Sequence, residues 1–211
     1  MKIIEPSFEI LTPLDGDYIL KFIERVARTC YKSENLITED SAKKMVAALI
    51  KSGHTAMIEF FDVAVRFQCD LGFYKDVTRH RMASFAIEST RWCNYGKDKF
   101  DNELKFTRPV HILPDTPEYA IWLDTMQMIE KNYLAMAALG AKPDALRMLL
   151  PHSINAEVNI KANLREWRHI FQLRGSADSH AHPSIKHLMG GVLREFQRQI
   201  PIIFDDIIAA E

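Results

Sequence analysis

The sequence is poor in cysteine and has no excess of charge of either sign, and both shortages exclude classes of protein. Cys30, Cys69 and Cys93 are odd in number and far apart in 211 residues, so they fit neither a disulfide framework nor a zinc knuckle. Lys and Arg total 27 against 28 Asp and Glu, which leaves no global positive field for a nucleic-acid backbone or an anionic membrane. Any anion site in this chain must be built locally.

Long hydrophobic runs are also missing. No stretch approaches the roughly 20 apolar residues of a membrane span. The opening residues, MKIIEPSFEI, lack the long apolar core of a signal peptide. With 47% hydrophobic residues, only 8 glycines and 9 prolines, the composition is that of a globular chain with a sizeable core. We expect a cytoplasmic protein with reduced thiols, no membrane association, and one domain over 1–211.

Hydrophobic spacing predicts an α+β fold. The alternation of Val63, Val65 and Phe67 with polar residues is typical of a half-buried strand. Thr116 and Pro117 form a cap and first-turn signal for a long helix. The apolar stripe of that helix is Ile121, Trp122, Thr125, Met126, Ile129 and Tyr133. Predicted strands cover 2–11, 61–69 and 153–161; predicted helices cover 19–30, 39–52, 72–81, 163–173 and 185–196, with another from Pro143; and 90–115 is a long loop. We expect a small mixed or antiparallel sheet covered by long helices.

The densest polar segment is Arg79-His80-Arg81, followed after seven residues by Ser89-Thr90-Arg91. Arginine offers a planar fork of donors that matches phosphate bidentately. Apolar residues are interleaved with these charges, so we expect some of the arginines to lie against the core and to need partners, a ligand phosphate being one candidate. A solvated helix end is the alternative interpretation.

A second basic cluster lies downstream. On a helix beginning near Asn163, Arg165 and His169 are four residues apart and share a face. Arg174 lies at the end of that helix, where a turn can aim it inward. The other basic residues of the cluster are Arg147 and Arg168. An exposed basic face and an anion site are both consistent with this pattern.

The histidines near the C-terminus raise the question of a metal. His180, His182 and His187 are close in sequence, but Asp178 is the only carboxylate beside them. A histidine-rich helix entrance is more often structural or ligand-lining than metal-binding. We expect no metal site, and metal analysis of the purified protein would test this.

Five ordered motifs resemble those of the flavin-dependent thymidylate synthases. They are Gly53-His54 with Glu59, the Arg79-His80-Arg81 signature, Glu88-Ser89-Thr90-Arg91-Trp92, Arg147 in Leu146-Arg147-Met148-Leu149-Leu150-Pro151, and Asn163-Leu164-Arg165 followed by Leu173-Arg174. The resemblance runs from about residue 40 to residue 205, and the order of its motifs makes it far more specific than a single match.

The resemblance implies a homotetrameric α+β enzyme that binds FAD between subunits. Such enzymes methylate dUMP to dTMP, with 5,10-methylenetetrahydrofolate as carbon donor and NADPH as reductant. By position, the implied FAD-binding residues are His54, Arg79, His80, Arg81, Asn163, Arg165 and His169. The implied nucleotide-binding residues are Asp76, Arg79, Ile87, Glu88, Ser89, Thr90, Arg91, Arg147 and Arg174. Arg174 is the implied catalytic residue and contacts the uracil.

The residue types agree with this chemistry. A pyrimidine C5 is a poor nucleophile until negative charge develops in the ring, and a guanidinium beside the base stabilises that charge. No cysteine attack is then needed, and Cys69 and Cys93 are better interpreted as core or loop residues. Ser89 has no evident base beside it in sequence, so it is assigned to binding.

Several positions depart from the family pattern. The departures are Asp76 for Gln, Ala86 for Asn, Ile87 for Glu or Gln, Trp92 for Tyr, and Ala181-His182-Pro183-Ser184 for Ala-Gln-x-Glu. Asp76 and Ile87 flank the expected nucleotide site, and a carboxylate repels a phosphate unless an arginine intervenes. Another pyrimidine nucleotide is therefore an alternative substrate. A nucleic-acid-binding module that uses the same arginines is an alternative of another class, against which the net charge of −1 weighs.

Overall fold

The computed structural model describes all 211 residues. The strands are β1 (Lys2–Ile4), β2 (Ser7–Ile10), β3 (Asp62–Asp70), β4 (Ala83–Ile87), β5 (Lys105–Thr107) and β6 (Asn155–Asn163). The helices are α1 (Gly16–Thr29), α2 (Ser41–Lys51), α3 (Leu71–Val77), α4 (Pro117–Ala138), α5 (Pro143–Leu146), α6 (Leu164–Arg174) and α7 (Pro183–Gln199). Short 3-10 helices lie at Glu34–Leu36, Thr55–Phe60, Asp98–Phe100 and Arg147–Leu149. None of the helices has the length and apolar character needed to cross a bilayer.

The strands form two small sheets. Four strands pair in the order β2-β3-β6-β4, and β1 pairs with β5 in parallel, with Ile3 opposite Phe106. Two small sheets with long helices confirm the predicted α+β class. The strand order is a tertiary property because it depends on which distant segments pair, and no local pattern contains it.

The chain divides into two compact units. The first comprises Met1–Phe8, Arg66–Arg79 and Phe85–Asn159, and the second comprises Glu9–Val65, His80–Ser84 and Ile160–Glu211. Strands β2, β3, β4 and β6 each contribute residues to both units. That the whole chain is one domain stays a prediction.

In the second unit, the core is built by α6 and α7. Each turn of these helices buries large side chains, and four aromatic rings meet with centroids 5.3 to 5.6 Å apart. These rings belong to Trp167, Phe171, Phe196 and Phe204. The indole N–H of Trp167 donates to the carbonyl of Val63 at 3.0 Å, so its polar atom is satisfied within the core. Because Trp167 and Phe171 are buried in this core, the opposite face of α6 is the one that remains exposed.

The first unit has its own core, with α4 at its centre. Tyr133 and Met126 of α4 are buried with Phe106, Leu104 and Ile154. The helix begins as predicted, because Thr116 accepts the backbone N–H of Tyr119 at 3.3 Å and Pro117 opens the first turn.

Four local predictions were wrong or incomplete. The strand predicted over 2–11 is two strands, interrupted at Pro6, which has no N–H for a ladder. The predicted loop over 90–115 contains β5, because three residues are too few for a visible alternation. Helix α3 ends at Val77 rather than at Arg81, and Thr78 caps it, since its backbone N–H and its hydroxyl both donate to the Tyr74 carbonyl, at 3.0 and 2.9 Å. Ile121 and Thr125, both placed on the apolar stripe of α4, are exposed, Ile121 by 70%.

Candidate functional site

Helix α6 carries several of the polar residues that the sequence predicts for a ligand site. Its first turn is capped by Asn163, whose side-chain oxygen accepts the backbone N–H of Glu166 at 2.8 Å. With the start of the helix fixed there, Arg165 and His169 fall on one exposed face, as predicted. Trp167 and Phe171 occupy the opposite, buried face.

A cavity of about 480 Å³ opens beside this exposed face. Its lining residues are Thr55, Glu59, Met82, Asn163, Arg165, Glu166, Arg168, His169 and Gln172, all of the second unit. The lining therefore includes Asn163, Arg165 and His169, the α6 residues assigned to FAD by the resemblance. Glu59, Glu166 and Gln172 also line it, although no ligand role was predicted for them. The sequence signal for Glu166 was ambiguous, since a glutamate in a first helical turn is common for capping alone.

Two arginines of this cavity are held differently. Arg165 is exposed, and its Nη1 lies 2.5 Å from Glu59 Oε1 at the cavity edge. Arg168 is buried, forms a two-bond ion pair with Asp206 at 2.6 Å per bond, and also donates to the Ile203 carbonyl. This pairing holds the pKa of Asp206 below its ordinary value. Arg165 is therefore free to exchange a surface partner for an anionic ligand, whereas Arg168 is a structural residue.

His80, in the middle of the Arg-His-Arg segment, is buried in the second unit. Its Nδ1 lies 3.3 Å from Glu166 Oε1, while its Nε2 has no hydrogen-bond partner. Its ring centroid is 5.6 Å from that of His169. Burial lowers the pKa of His80 to about 4, assisted by the charges of Arg174 and His169, so the ring is neutral at pH 7. Burial also raises the pKa of Glu166, against a smaller opposing effect of His169.

Arg174 is the last residue of α6, and its Nε is buried without a hydrogen-bond partner. A buried donor left unpaired costs about 1–3 kcal/mol, and such groups are rare in folded proteins. Arg174 and His80 each carry a buried polar atom without a hydrogen-bond partner, in the same unit as the cavity. Unpaired polar atoms of this kind fit a site that is completed by a polar ligand.

The arginines flanking His80 lie differently from the prediction. Arg79, Arg81 and Arg91 are all exposed, and it is His80 that is buried. The expectation that some of these arginines lie against the core is wrong, because the apolar residues around them belong to a turn and an alternating strand, β4. Exposed guanidinium groups are nevertheless accessible to phosphate.

In the first unit, the segment after β4 forms a turn. The backbone N–H groups of Trp92 and Cys93 both donate to the Ser89 carbonyl, at 3.0 and 2.9 Å. Arg91 Nε lies 3.1 Å from Asp144 Oδ1, three residues before Arg147. The structure therefore brings the Ser89–Arg91 turn close to the segment that carries Arg147.

Glu88 faces a different environment from its neighbours in the turn. Its Oε1 accepts the Tyr95 hydroxyl hydrogen at 2.8 Å, and its Oε2 accepts the Glu157 backbone N–H at 3.3 Å. These residues line a second cavity, of about 450 Å³, in the first unit. Burial and Glu88 raise the pKa of Tyr95, so its hydroxyl stays protonated as a donor. A nucleotide contact of Glu88 stays a prediction.

The two sets of residues implied by the resemblance divide between the units. All implied nucleotide residues except Arg174 lie in the first unit, and all implied FAD residues except Arg79 lie in the second. Asp76 is on α3 and Ile87 ends β4. His54 is exposed immediately before the 3-10 helix Thr55–Phe60.

The histidines near the C-terminus have other positions. The His182 Nδ1 accepts the Ser184 backbone N–H at 3.3 Å and caps α7, while His180 and His187 are exposed. Nowhere in the chain do three histidine, cysteine or acidic side chains gather as a metal site would require.

Comparison with known proteins decides the family. The family described as "Thymidylate synthase complementing protein" matches residues 17–202. The chain belongs to this family.

Individual relatives of this family member are distant in sequence. Flavin-dependent thymidylate synthases from Kosmotoga olearia and Corynebacterium glutamicum are 22% and 25% identical to it, over 97% and 95% of this chain and 91% and 84% of theirs. The enzyme of that name from Pyrococcus abyssi is 26% identical over 139 residues, which span 65% of this chain and only 56% of the relative. The resemblance drawn from the motifs is confirmed.

A solved structure shares the fold of this family member. The UMP/dUMP methylase PolB from Streptomyces cacaoi, bound with 5-Br dUMP, superposes with a TM-score of 0.77 at 17% identity, covering 97% of this chain and 96% of PolB. At this identity the similarity concerns the fold.

Proposed function

We propose that this protein is a flavin-dependent thymidylate synthase that reductively methylates dUMP to dTMP. In this proposal FAD is the bound cofactor, 5,10-methylenetetrahydrofolate supplies the carbon and NADPH supplies the electrons. The observation that carries it is the buried, unpartnered Nε of Arg174, at the end of the helix that presents Arg165 and His169 to a cavity.

The residues of the second unit fit a flavin dinucleotide. Arg165 offers an exposed guanidinium suited to a phosphate. His169, Asn163 and His54 add polar groups, and Arg79, His80 and Arg81 are the further FAD-binding residues of the proposal. When bound, the flavin carries hydride and one-carbon chemistry, for which the protein supplies position and electrostatics.

The residues assigned to the nucleotide are those that the resemblance implies, with Arg174 at the base. Ser89, Arg91 and Arg147 hold its phosphate and sugar, because the guanidinium groups are exposed and the turn brings Arg91 near the segment of Arg147. Asp76, Arg79, Ile87, Glu88 and Thr90 complete the proposed nucleotide site. Arg174 contacts the base and stabilises the negative charge that develops as C5 becomes nucleophilic.

The proposal includes a homotetramer in which neighbouring subunits share each site. This assembly follows from the resemblance, and its direct test is the mass of the protein in solution. A monomer that still binds FAD and turns over dUMP would contradict a shared site.

An absorption spectrum followed under anaerobic conditions tests the function. We expect a yellow protein that bleaches with NADPH and reoxidises only when dUMP and methylenetetrahydrofolate are both added. A colourless protein that cannot be reconstituted with FAD would contradict the proposal.

A related pyrimidine nucleotide is the second candidate substrate. Asp76 and Ile87 replace residues of the family pattern beside the proposed nucleotide site, and PolB is described as acting on both UMP and dUMP. Reoxidation of the reduced flavin by UMP rather than dUMP would favour this candidate. Equal reoxidation by both would indicate that the site does not distinguish the ribose from the deoxyribose.

A further inference from the structure

Glu166 lines the proposed flavin cavity, and its carboxyl group also contacts His80. Its Oε1 lies 3.3 Å from His80 Nδ1, and the side chains are 10% and 4% exposed. Glu166 is the third residue after Asn163, and its backbone N–H donates to the Asn163 side chain, which fixes the position of its backbone. The carboxyl and the imidazole are therefore confined to one arrangement by the packing around them.

This contact determines which nitrogen of His80 carries the hydrogen. A neutral imidazole has one N–H donor and one bare acceptor, and the partner of one nitrogen sets the state of the other. A carboxylate beside Nδ1 accepts a hydrogen from it, which leaves Nε2 as an acceptor. Because burial, Arg174 and His169 lower the pKa of His80 to about 4, the ring is neutral at pH 7 and this choice applies.

A donor of the matching kind is present in the same unit. His80 Nε2 and Arg174 Nε are both buried and both unpartnered, and one is an acceptor while the other carries a hydrogen. The charge of Arg174 is near enough to His80 to lower its pKa. The two atoms are therefore complementary in kind, one an acceptor and the other a donor.

We propose that Glu166 is a positioning residue that keeps the His80 hydrogen on Nδ1, so that Nε2 accepts the Nε–H of Arg174 when the nucleotide binds. The guanidinium of Arg174 is then oriented by a series of hydrogen bonds that runs from Glu166 through His80. This inference rests on the proposed function for the role of Arg174 at the base.

The tautomer of His80 is measured first, on the ligand-free parent protein. Nitrogen NMR of ¹⁵N-histidine-labelled protein at pH 7 is expected to show the His80 hydrogen on Nδ1 and a bare Nε2. In Glu166→Ala, the hydrogen is expected to move to Nε2, whereas Glu166→Gln, which keeps an acceptor oxygen, restores the parent state. A parent protein with the hydrogen on Nε2 would overturn the proposal.

The effect on Arg174 is measured with a double-mutant cycle. Glu166→Ala, measured with FAD at saturating concentration, is expected to lower kcat for the nucleotide roughly 10- to 100-fold, because a misplaced catalytic group loses that much. In an Arg174→Ala background the same change is expected to have no further effect, since both act through one group. If the two substitutions lower kcat independently, so that their effects multiply, the proposal that Glu166 acts through Arg174 fails.

A matched control separates positioning from folding. Glu24 is another buried carboxylate of the second unit. It accepts hydrogen bonds from the side chains of Arg28 and Ser41 and belongs to neither proposed site. Glu24→Ala is expected to lower stability while leaving the His80 tautomer and kcat per folded protein unchanged. If it shifts the tautomer as Glu166→Ala does, the effect is general and the proposal fails.

The two proposals fail separately. A parent protein that never turns over a pyrimidine nucleotide contradicts the proposed function, whatever its histidine tautomer. The His80 tautomer of the ligand-free protein then decides the inference, because it needs no nucleotide: the hydrogen must lie on Nδ1 in the parent protein and on Nε2 in Glu166→Ala. The same tautomer in both proteins would overturn the role of Glu166.

Discussion

The side-chain oxygen of Asn163 accepts the backbone N–H of Glu166 at 2.8 Å and sets the first turn of α6. This bond determines which residues of the helix face the cavity and which face the aromatic core. We expect Asn163→Ala to reduce the free energy of unfolding by about 1 kcal/mol, the usual value of a lost N-cap. Denaturant unfolding measures this, and Asn163→Asp, which retains a capping oxygen, is the control. Equal losses in both variants would show that the cap is unimportant.

Arg174 is predicted to matter for the nucleotide and not for the cofactor. Arg174→Ala is expected to retain its flavin but to lose turnover of dUMP by roughly 100-fold or more, because it removes the charge that stabilises the developing anion. Flavin absorbance and dTMP formation are measured on the same preparation. Arg198→Ala, at an exposed position on α7, is the control that keeps both. Turnover of Arg174→Ala at the parent rate would contradict the assignment.

His54 and Arg79 are predicted to retain the flavin. Both are exposed, so their replacement by alanine is expected to weaken FAD binding with little change in stability. The ratio of flavin to protein after gel filtration measures this, with Arg25→Ala, on the surface of α1, as the control. Undiminished flavin in both variants would remove these residues from the cofactor site.

Arg165 and Arg168 are predicted to have separate roles although they are one turn apart. Arg168→Ala breaks a two-bond pair with Asp206 and is expected to lower the free energy of unfolding by roughly 2 kcal/mol. Arg165→Ala is expected to leave stability almost unchanged and to weaken FAD binding about tenfold, the equivalent of one charge-assisted hydrogen bond. Thermal unfolding and flavin titration of both variants measure the contrast, and the reverse pattern would contradict it.

The depressed pKa of His80 predicts a pH dependence of stability. An unfolded histidine binds a proton near pH 6.5 and folded His80 near pH 4, so the unfolded state binds more protons between these values. The contribution of His80 to stability is therefore lost as the pH falls from about 6.5 toward 4. Glu166, whose pKa is raised in the fold, acts in the opposite direction, and the charges of Arg174 and His169 oppose protonation of the ring.

The variant His80→Gln isolates this contribution. Its free energy of unfolding is expected to fall less steeply than that of the parent protein between pH 6.5 and pH 4. Chemical denaturation at several pH values measures both slopes. Parallel slopes would show that His80 titrates alike in the folded and unfolded chain.

The fold could be predicted from the sequence wherever one element carries its own signal. The cap at Thr116 gave the start of α4. The alternation around Val65 and the spacing along α6 and α7 each gave the element and its buried face, because periodic burial follows from backbone geometry alone. The family could likewise be recognised from the order of its motifs. Strand β5 could not be seen, since three residues form a strand only through their pairing with β1.

The site shows the same division. The sequence alone determined the residue types, with Arg165 and His169 on one helical face and Arg174 at its end. Only the tertiary structure decided that Arg168 is bound to Asp206, that His80 is the buried member of its segment, and that Glu166 reaches it. Burial and pairing depend on segments far apart in the chain, and such contacts leave no periodic mark in either segment.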